Sequence, residues 1–379
     1  MKIVLTGGGT GGHFYPIIAT VERIHEYIAE RKLIEPELLY LGPEPFDHAA
    51  LHEQNITHLY APAGRLRRYA SMVSTIDLLK TTFGIIRALF QMFSLYPDVI
   101  FSTGGYAAFP TLVAARILNI PVVIYDADAE PGIVSLWSSK FARWIAVAHP
   151  DAAAKFPTKV QERIANVGHP IRKEIEFPTI EGGHEFLKID PSAPTIFVMG
   201  GSQGAQTIND AIVDTLPTLI EKYNIIHQTG KDNLDQMKGV SKLILQNTRY
   251  DNRYRAFGLL NTLALRMAAG VTDLIISRAG SGTIFEIASW GIPAILIPIP
   301  LDVSHDQTKN AFSYARSGAA VVIEQQNLTP HLLVAEINRI MDDKPAREEM
   351  KKAAQSFARR DSAKKIAKAV VGIAIEHTA

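Results

Sequence analysis

Short apolar runs alternate along the chain with longer stretches of helical periodicity, and glycine-rich turns separate the two. Five apolar runs in the first half predict strands: Lys2–Leu5, Leu38–Leu41, Asp98–Phe101, Pro121–Tyr125 and Ile145–Ala148. Apolar positions spaced for a helix follow at Pro16–Arg31 and Pro110–Leu118. Short buried strands that alternate with helices are typical of a parallel α/β sheet.

The same pattern begins again after Gly168. Four further strands are predicted at Thr195–Met199, Ile225–Gln228, Leu274–Ser277 and Ala294–Pro298, with helices at Ala205–Tyr223 and from Thr283. Right-handed crossovers bring the loops that follow the strands to one edge of each sheet. The sequence therefore predicts two tandem Rossmann-like, doubly wound parallel-sheet domains whose functional edges face each other across a cleft.

A stretch rich in proline and glycine, from Pro170 to Pro194, separates the two patterns and indicates a linker. Single cores stop growing at about 250–300 residues, and this chain has 379. The predicted organisation is a first Rossmann-like domain at 1–170, a linker at 171–194, a second Rossmann-like domain at 195–345 and a tail at 346–379. The tail is helical in pattern, and we expect it to pack back on the first domain.

Composition narrows the classes of function. The chain has 39 Lys+Arg and 38 Asp+Glu, a net charge of +1, so no overall field attracts nucleic acid. The cysteine count is zero, which excludes disulfides, thiol catalysis and cysteine-ligated metals. We find no signal-peptide pattern and no run of the about 18–20 apolar residues that a spanning helix needs. The expectation is a soluble protein, or one that lies on a membrane without crossing it.

Glycine-rich turns follow three of the predicted strands, at Thr6–His13, Gly200–Ala205 and Ser277–Glu286. Glycines let a ligand approach the backbone, and the amides at a helix N-terminus favour anionic groups. Each turn alone is better explained as a tight strand-to-helix connection. Two of them facing one cleft favour a nucleotide-linked ligand.

Three side chains in these turns are candidates for chemistry. A helix N-terminus favours the neutral form of His13, which can accept a proton from a hydroxyl nucleophile or only cap the helix. The Ser202 hydroxyl can help to hold a diphosphate. Glu286 can bridge a ribose diol with its two carboxylate oxygens, and a capping role is compatible with that.

Other chemistries are less well supported. Gly7, Gly9 and Gly12 satisfy the dinucleotide pattern, but the second strand ends at Gly42 without the acidic residue that a nicotinamide dehydrogenase uses. No Gly-Lys-Ser/Thr follows the glycines, which excludes a Walker loop. His305 and Asp306 are adjacent in a polar loop, but two ligands without a third are weak support for a metal site. We predict no metal.

Apolar and basic residues share the segment Ile76–Leu95. Leu79, Phe83, Ile86, Phe90 and Phe93 recur at helical spacing, with Lys80 and Arg87 between them. A helix that faces the core of an α/β domain is the favoured interpretation, and a helix lying on an anionic membrane is the alternative. The preceding basic loop, with Arg65, Arg67 and Arg68, is predicted to be exposed and favours an anionic membrane surface.

Seven segments carry a resemblance that covers almost the whole chain: Gly7–Pro16, Gly104–Tyr106, Asn166–Arg172, Gly200–Ala205, His227–Gly230, Ser277–Glu286 and Asp306–Asn310. In this order they resemble the MurG family of bacterial glycosyltransferases, glycosyltransferase family 28. The resemblance implies a GT-B fold. It also implies inverting transfer of N-acetylglucosamine from UDP-N-acetylglucosamine to lipid I (undecaprenyl-diphospho-N-acetylmuramoyl-pentapeptide), which forms lipid II in peptidoglycan biosynthesis. The enzyme would be peripheral on the cytoplasmic face of the cell membrane.

The resemblance implies residue roles as well. On the donor side Glu286 would hold the ribose, Ser202 would contact the diphosphate with Arg172 nearby, and Gln307 would contact the sugar. The nucleotide would be lined by Ser281, Gly282, Thr283, Ile284 and Phe285. The phosphates of donor and acceptor would meet Thr10, Gly11 and Gly12, and the base for the acceptor hydroxyl would be His13. No metal or cofactor is implied, because helix N-termini can stabilise a leaving diphosphate.

The sequence departs from the family in two places. Tyr125–Asp128 reads Tyr-Asp-Ala-Asp where the family commonly has His-Glu-Gln-Asn. Asp128 therefore stands where an asparagine binds substrate, and it is a second candidate base beside His13. Phe257–Met267 does not match the family segment that helps to hold the uracil. Alternative functions are a related GT-B transferase with another lipid acceptor such as diacylglycerol, a non-catalytic nucleotide-sugar-binding protein, and a dehydrogenase.

Overall fold

The computed structural model describes residues 1–64, 72–200, 205–246, 248–300 and 307–378. Contacts divide the chain into two units. The first unit is Met1–Lys173 together with Arg359–Ala379, and the second is Glu174–Ala358. The chain therefore passes from one unit to the other twice, and its last helix belongs to the first unit.

A seven-stranded parallel sheet forms the centre of the first unit. Its strands are β1 (Lys2–Thr6), β2 (Glu37–Gly42), β3 (Thr57–Tyr60), β4 (Val99–Ser102), β5 (Val122–Asp126), β6 (Trp144–Val147) and β7 (Ile164–Asn166). Their order is β3-β2-β1-β4-β5-β6-β7. The inner strands are buried nearly throughout, as expected of a parallel sheet that is covered on both faces.

Helices connect these strands. They are α1 (Gly11–Arg31), α2 (His48–Glu53), α3 (Met72–Leu95), α4 (Phe109–Leu118) and α5 (Ile133–Ser138). Short 3-10 turns lie at Tyr106–Ala108, Pro150–Lys155 and Thr158–Arg163. Pro16 lies inside α1, in its second turn, so the amide that would bond to the carbonyl of Gly12 is missing there.

The second unit repeats the plan with six parallel strands. These are β8 (Thr195–Met199), β9 (Asn224–Gln228), β10 (Tyr254–Phe257), β11 (Leu274–Ser277), β12 (Ala294–Leu296) and β13 (Ala320–Val322), in the order β10-β9-β8-β11-β12-β13. Its helices are α6 (Lys173–Glu176), α7 (Gly183–Leu187), α8 (Gln206–Leu219), α9 (Leu234–Leu245), α10 (Thr262–Gly270), α11 (Ser281–Trp290), α12 (Thr308–Ala315), α13 (Pro330–Asp342) and α14 (Lys344–Phe357). Further 3-10 turns lie at Lys231–Asn233, Asp251–Arg253 and Gln325–Asn327.

The predicted linker region carries two short helices and packs against the second unit. The amide of Thr179 donates to the carbonyl of Arg266, and the Nε1 of Trp290 donates to the carbonyl of Ile175 at 2.8 Å. A Cβ on Gly270 would lie 2.2 Å from the carbonyl oxygen of Thr179. The close backbone approach at Gly270 fixes this segment to α10.

The tail divides between the units. Helix α14 lies in the second unit, whereas α15 (Ser362–Thr378) packs on α1 and β4 of the first. Asp98, just before β4, accepts the amide of Lys2 at 2.7 Å. The same carboxylate lies 3.9 Å from His377 near the end of α15. The beginning and the end of the chain therefore meet at Asp98.

Helix α3 corrects the expectation of a core-facing apolar stripe. Gly84, Ala88 and Met92 form its buried side. The residues that were predicted to face the core are instead about half to three-quarters exposed: Leu79, Phe83, Ile86, Phe90 and Phe93. We call these five residues the apolar face of α3. Helical spacing shows which residues share a face of the helix, but it does not show what covers that face. In α3 the protein covers the adjacent side, which carries Gly84, Ala88 and Met92.

The same helix corrects the expectation that no segment is long and apolar enough to span a membrane. Thr75–Leu95 has 21 residues and a mean hydropathy of 1.2, with 17% of the assessed stretch buried. Lys80 and Arg87 interrupt the apolar run without lowering its mean hydropathy below that of spanning segments. By length and composition alone the helix could cross a bilayer.

Candidate functional site

The carboxyl ends of β1, β4 and β5 lie side by side in the first sheet. The glycine loop of 7–10 follows β1, the Thr103–Tyr106 turn follows β4, and Ala127–Glu130 follows β5. Strand order reverses between β1 and β4, and ligands bind at such switch points in open α/β sheets. The predicted residues of the first unit gather at this edge.

Glycine is required in the first loop because neighbouring rings approach its backbone. Gly7, Gly8 and Gly9 all have positive φ angles. A Cβ on Gly9 would lie 2.6 Å from the ring of Tyr106. The hydroxyl of Tyr40 donates to the carbonyl of Gly7. The contribution of Tyr106 and Tyr40 to this loop was not evident from the sequence, since neither residue belongs to it.

His13 lies in the first turn of α1, and a contact with Thr103 orients its ring. The Nδ1 of His13 is 2.8 Å from the carbonyl oxygen of Thr103. A carbonyl can only accept, so the neutral ring carries its proton on Nδ1 and has a lone pair on Nε2. The predicted phosphate-binding residues Thr10 and Gly12 are exposed beside it, and Gly11 is half-buried.

The space next to the Nε2 of His13 is kept open by another glycine. Gly105 has a φ of 77°, and a Cβ there would lie 3.4 Å from Nε2 and 3.3 Å from the Cδ2 of His13. An L-residue at this position would be strained and would also press on the imidazole. The Thr103–Tyr106 turn therefore leaves the lone pair on Nε2 of His13 accessible.

Asp126 organises the loop that carries Asp128. Its carboxylate accepts the amide of Asp128 at 3.2 Å and the amide of Gly132 at 3.1 Å. Burial, and then the nearby Asp128 carboxylate, raise the pKa of Asp126 to about 7, whereas hydrogen bonds from Ser135 and the two amides lower it. Asp128 itself is exposed. The buried carboxylate holds the loop, and the exposed one faces solvent.

Tyr125 and His169 form a buried pair at the same edge. The Tyr125 hydroxyl and the Nδ1 of His169 are 2.6 Å apart. Burial lowers the pKa of His169 to about 3, the neighbouring His149 lowers it further, Asp128 raises it, and His13 lowers it. Burial also raises the pKa of Tyr125, so the phenol donates and a neutral His169 accepts. Both candidate bases, His13 and Asp128, are electrostatically coupled to His169.

Arg172 also belongs to this unit. Its guanidinium lies over the ring of Tyr15, 4.1 Å from the ring centre, and Tyr15 is two residues beyond His13. The structure thus brings Arg172 to the side of α1. The resemblance had implied a place near the diphosphate partner Ser202, which lies outside the described residues, as do Arg65, Arg67, Arg68, His305 and Asp306.

In the second unit the predicted nucleotide-binding residues begin α11. Ser281 is buried, and Gly282, Thr283 and Glu286 are half-buried at the helix start. Ile284 and Phe285 are 0% and 2% exposed and belong to the core, Phe285 packing on Phe357 with ring centres 5.1 Å apart. Their side chains face the protein, so a ligand can meet these two residues only through the main chain.

Gln307 is held against the turn that precedes α11. Its Oε1 accepts the amide of Ala279 at 3.0 Å and the amide of Ile299 at 3.3 Å. Two amide donors fix which side of the carboxamide is oxygen, so Nε2 is the group available to a ligand. A Cβ on Gly280 would lie 3.7 Å from that Nε2. The structure therefore places Gln307 against the turn that leads into Ser281.

Two further polar groups of this edge were not identified as site residues from the sequence. Arg278 is half-buried directly after β11 and donates to the carbonyl of Ile297 at 3.1 Å. His227 is buried between the hydroxyl of Tyr254 and the Oδ1 of Asn209, each at 3.0 Å. Burial lowers the pKa of His227 to about 3, so it acts as a neutral bridge beneath Thr229. Arg278 brings a cation to this edge, and His227 is structural.

Within the part of the chain that the structure describes, no group of three or more His, Asp or Glu residues could hold a metal ion.

Family models match both units. The model of the glycosyltransferase family 28 N-terminal domain matches residues 3–147, and that of the C-terminal domain matches residues 195–366. The matched ranges cover the glycine loop of α1, the Asp126–Asp128 loop and the α11–Gln307 region.

Whole-chain relatives extend this match. The UDP-N-acetylglucosamine–N-acetylmuramyl-(pentapeptide) pyrophosphoryl-undecaprenol N-acetylglucosamine transferase of Treponema denticola is 30% identical over 88% of this chain and 86% of its own length. A transferase of the same description from Bacillus cereus is 33% identical over 89% of this chain and 91% of its own. The crystal structure of Acinetobacter baumannii MurG superposes with a TM-score of 0.73, at 24% identity, covering 98% of this chain and 99% of that one.

Proposed function

Because the chain belongs to glycosyltransferase family 28, we propose that it transfers N-acetylglucosamine from UDP-N-acetylglucosamine to lipid I, forming lipid II for peptidoglycan. The expected α/β architecture with GT-B neighbours is confirmed. The observation that carries the proposed chemistry is the orientation of His13, whose Nδ1 faces the Thr103 carbonyl and leaves Nε2 as an acceptor.

In the proposed reaction, Nε2 of His13 takes the proton of the acceptor sugar's hydroxyl as its oxygen attacks the anomeric carbon of N-acetylglucosamine. The new glycosidic bond forms on the face opposite the leaving group, and the bond to the UDP oxygen breaks, so the configuration inverts. UDP leaves with its negative charge on the diphosphate. The amides of helix N-termini and neighbouring polar groups stabilise that charge.

The donor is assigned to the second unit. We propose that Glu286 binds the ribose hydroxyls, that Ser281–Thr283 meet the nucleotide and that Ser202 and Arg278 meet the diphosphate. Gln307 would donate from Nε2 to an oxygen of the sugar, since its Oε1 is already occupied by two amides. These assignments predict that Glu286→Gln weakens UDP binding, whereas Gln307→Ala raises the KM for the sugar nucleotide and leaves UDP affinity nearly unchanged.

The acceptor diphosphate is assigned to the first unit, at Thr10, Gly11 and Gly12, with Arg172 beside them. Asp128 is the competing candidate for the base. It is exposed on a loop that Asp126 holds in place, and it is coupled to the same buried His169 as His13. We favour His13 because a directional contact fixes its acceptor atom.

A transfer assay with purified protein, labelled UDP-N-acetylglucosamine and a lipid I analogue tests the proposal. His13→Gln should lower kcat by about 10²–10⁴-fold with unchanged UDP affinity. His48→Ala, which changes an exposed histidine paired with Glu44, is the matched control. Label transferred to diacylglycerol, UDP binding without transfer, or full activity in His13→Gln would each contradict part of the proposal. A larger loss in Asp128→Ala than in His13→Gln would assign the base to Asp128.

We also propose that the protein is peripheral on the cytoplasmic face of the membrane, docked through the apolar face of α3. An acceptor with an undecaprenyl chain lies in a bilayer, so the enzyme must reach that surface. The helix exposes aromatic and aliphatic side chains, with the exposed cations Lys80 and Arg87 beside them. That combination is typical of interfacial helices that bind anionic lipids.

A further inference from the structure

We propose that Thr103 is the positioning residue for His13, holding both its backbone and its ring in the arrangement that glycosyl transfer needs. The inference rests on the proposed role of His13 as the base. It concerns a residue directly after β4, which packs against the loop of β1 from the neighbouring strand.

Thr103 contacts His13 at two points and is itself anchored at a third. Its hydroxyl donates to the backbone carbonyl of His13 at 2.6 Å. Its carbonyl accepts the Nδ1–H of the same residue at 2.8 Å. Its amide donates to the carbonyl of Thr6 at 3.0 Å, which continues the β1–β4 ladder. Thr103 is 1% exposed and His13 is half-buried, so the two contacts between them are partly shielded from water.

The sequence leaves a gap for this hydroxyl at Gly7. A Cβ on Gly7 would lie 1.9 Å from the Oγ1 of Thr103. The threonine therefore reaches the N-terminal turn of α1 only because the facing residue has no side chain. The hydrogen bond from Thr103 to His13 therefore depends on glycine at position 7.

The two contacts with His13 do different things. The hydrogen bond from the hydroxyl joins the first turn of α1 to the sheet, and it fixes the position of the His13 backbone from which the imidazole extends. The carbonyl selects the tautomer that has its lone pair on Nε2. A base must be held within hydrogen-bond reach of the hydroxyl it deprotonates, and small displacements of a reacting group are costly to turnover. A buried residue that fixes both position and tautomer should therefore affect kcat more than substrate binding.

Three variants separate this role from a general contribution to folding. Thr103→Val keeps the shape and loses the hydroxyl, and Thr103→Ser keeps the hydroxyl. Thr111→Val is the matched control, because Thr111 is buried in α4 and donates to the carbonyl of Leu41, which also accepts from Thr6. We expect kcat about 10-fold lower in Thr103→Val, with the KM for UDP-N-acetylglucosamine unchanged. Thr103→Ser should restore turnover, and Thr111→Val should keep it.

A spectroscopic readout follows His13 directly. In protein labelled with ¹⁵N-histidine, the His13 resonance is the one lost in His13→Gln. At alkaline pH the parent protein should show a protonated Nδ1 and an unprotonated Nε2. Thr103→Val keeps the carbonyl that selects this tautomer and loses the hydroxyl bond to the His13 backbone, so its His13 ring resonances should shift while the tautomer stays the same.

The outcomes distinguish the two proposals. Full turnover in His13→Gln would overturn the assignment of the base. If His13→Gln is inactive, then unchanged kcat and an unchanged imidazole spectrum in Thr103→Val would overturn the role of Thr103 alone. Equal losses in Thr103→Val and Thr103→Ser, or in Thr103→Val and Thr111→Val, would also overturn it.

Discussion

Replacing two aromatic rings on the apolar face of α3 should release the protein from anionic membranes. Phe90 and Phe93 are 75% and 73% exposed, so about three-quarters of each ring's surface remains to be removed from water. Full burial of a phenylalanine side chain contributes about 1.5–3 kcal/mol, which leaves about 1–2 kcal/mol per ring. The variant Phe90→Ser/Phe93→Ser should therefore lose about 2–4 kcal/mol of binding, or about 30- to 1,000-fold in partition coefficient.

Sedimentation with vesicles of phosphatidylglycerol and phosphatidylcholine measures this loss. The control variant Ile34→Ser/Leu243→Ser removes apolar side chains that are 87% and 68% exposed but lie outside α3, and it should bind like the parent protein. Binding of the parent should also weaken with added salt, because Lys80 and Arg87 contribute through a screened attraction.

The reasoning would be refuted if the Phe90/Phe93 variant bound vesicles as tightly as the parent, or if both double variants lost binding equally. The first result would show that α3 does not insert its aromatic side chains. The second would show only a general dependence on surface apolarity. Transfer measured with a short-chain, water-soluble lipid I analogue should be nearly the same in all three proteins, since no site residue is changed.

Three further predictions concern the scaffold of the site. Gly105→Ala should cost about 1–2 kcal/mol of stability, because an L-residue at its positive φ is strained, and it should lower kcat, because the methyl would press on His13. The denaturant midpoint and the turnover rate measure these two effects, and an unchanged kcat would refute the prediction. Gly270→Ala should cost about 1–3 kcal/mol of unfolding free energy, because its methyl would clash with Thr179. Gly239→Ala should instead gain about 1 kcal/mol, because a Cβ at that helical position would have no atom within 4 Å. Equal denaturant midpoints for the two variants would contradict this. The pKa of Asp126 is raised to about 7, so the folded state binds its proton more tightly than the unfolded state, and this contribution to stability is lost as pH rises from about 4 to about 7. Subtracting the pH–stability curve of Asp126→Asn from that of the parent should reveal this decline, and a flat difference would refute it.

Much of the fold could be predicted from apolar runs, because inner strands of a parallel sheet are buried on both faces. The predicted strands at Thr195–Met199 and Leu274–Ser277 match β8 and β11 to the residue. Four strands were missed: β3, β7, β10 and β13. All four are sheet edges, where one side of the strand has no partner strand and polar residues are tolerated. Polar or charged residues interrupt the apolar runs of β3, β7 and β10. Strand β13 lies in the short apolar run Ala319–Ile323, which was missed.

The site was less predictable, because contacts between distant residues set its geometry. The sequence indicated His13 from its place after a glycine loop, but not the Thr103 carbonyl that orients its ring. It indicated a departure at Tyr125, but not the partner His169, which is 44 positions away. The apolar face of α3 was visible as a pattern, and its exposure was not. Periodicity shows which residues share a face, and only packing shows what that face meets.

The meeting of Lys2 and His377 at Asp98 has a practical consequence for dissecting the protein. A short linker between the two termini, combined with new ends between Lys173 and Glu174, would give a circularly permuted chain in which each unit is one uninterrupted stretch. The second unit would come first, followed by α15 and then the rest of the first unit. Each half could then be produced alone with its complete sheet, and only the short helix α6 would lose its first residue. Donor affinity and acceptor affinity could be measured on separate polypeptides.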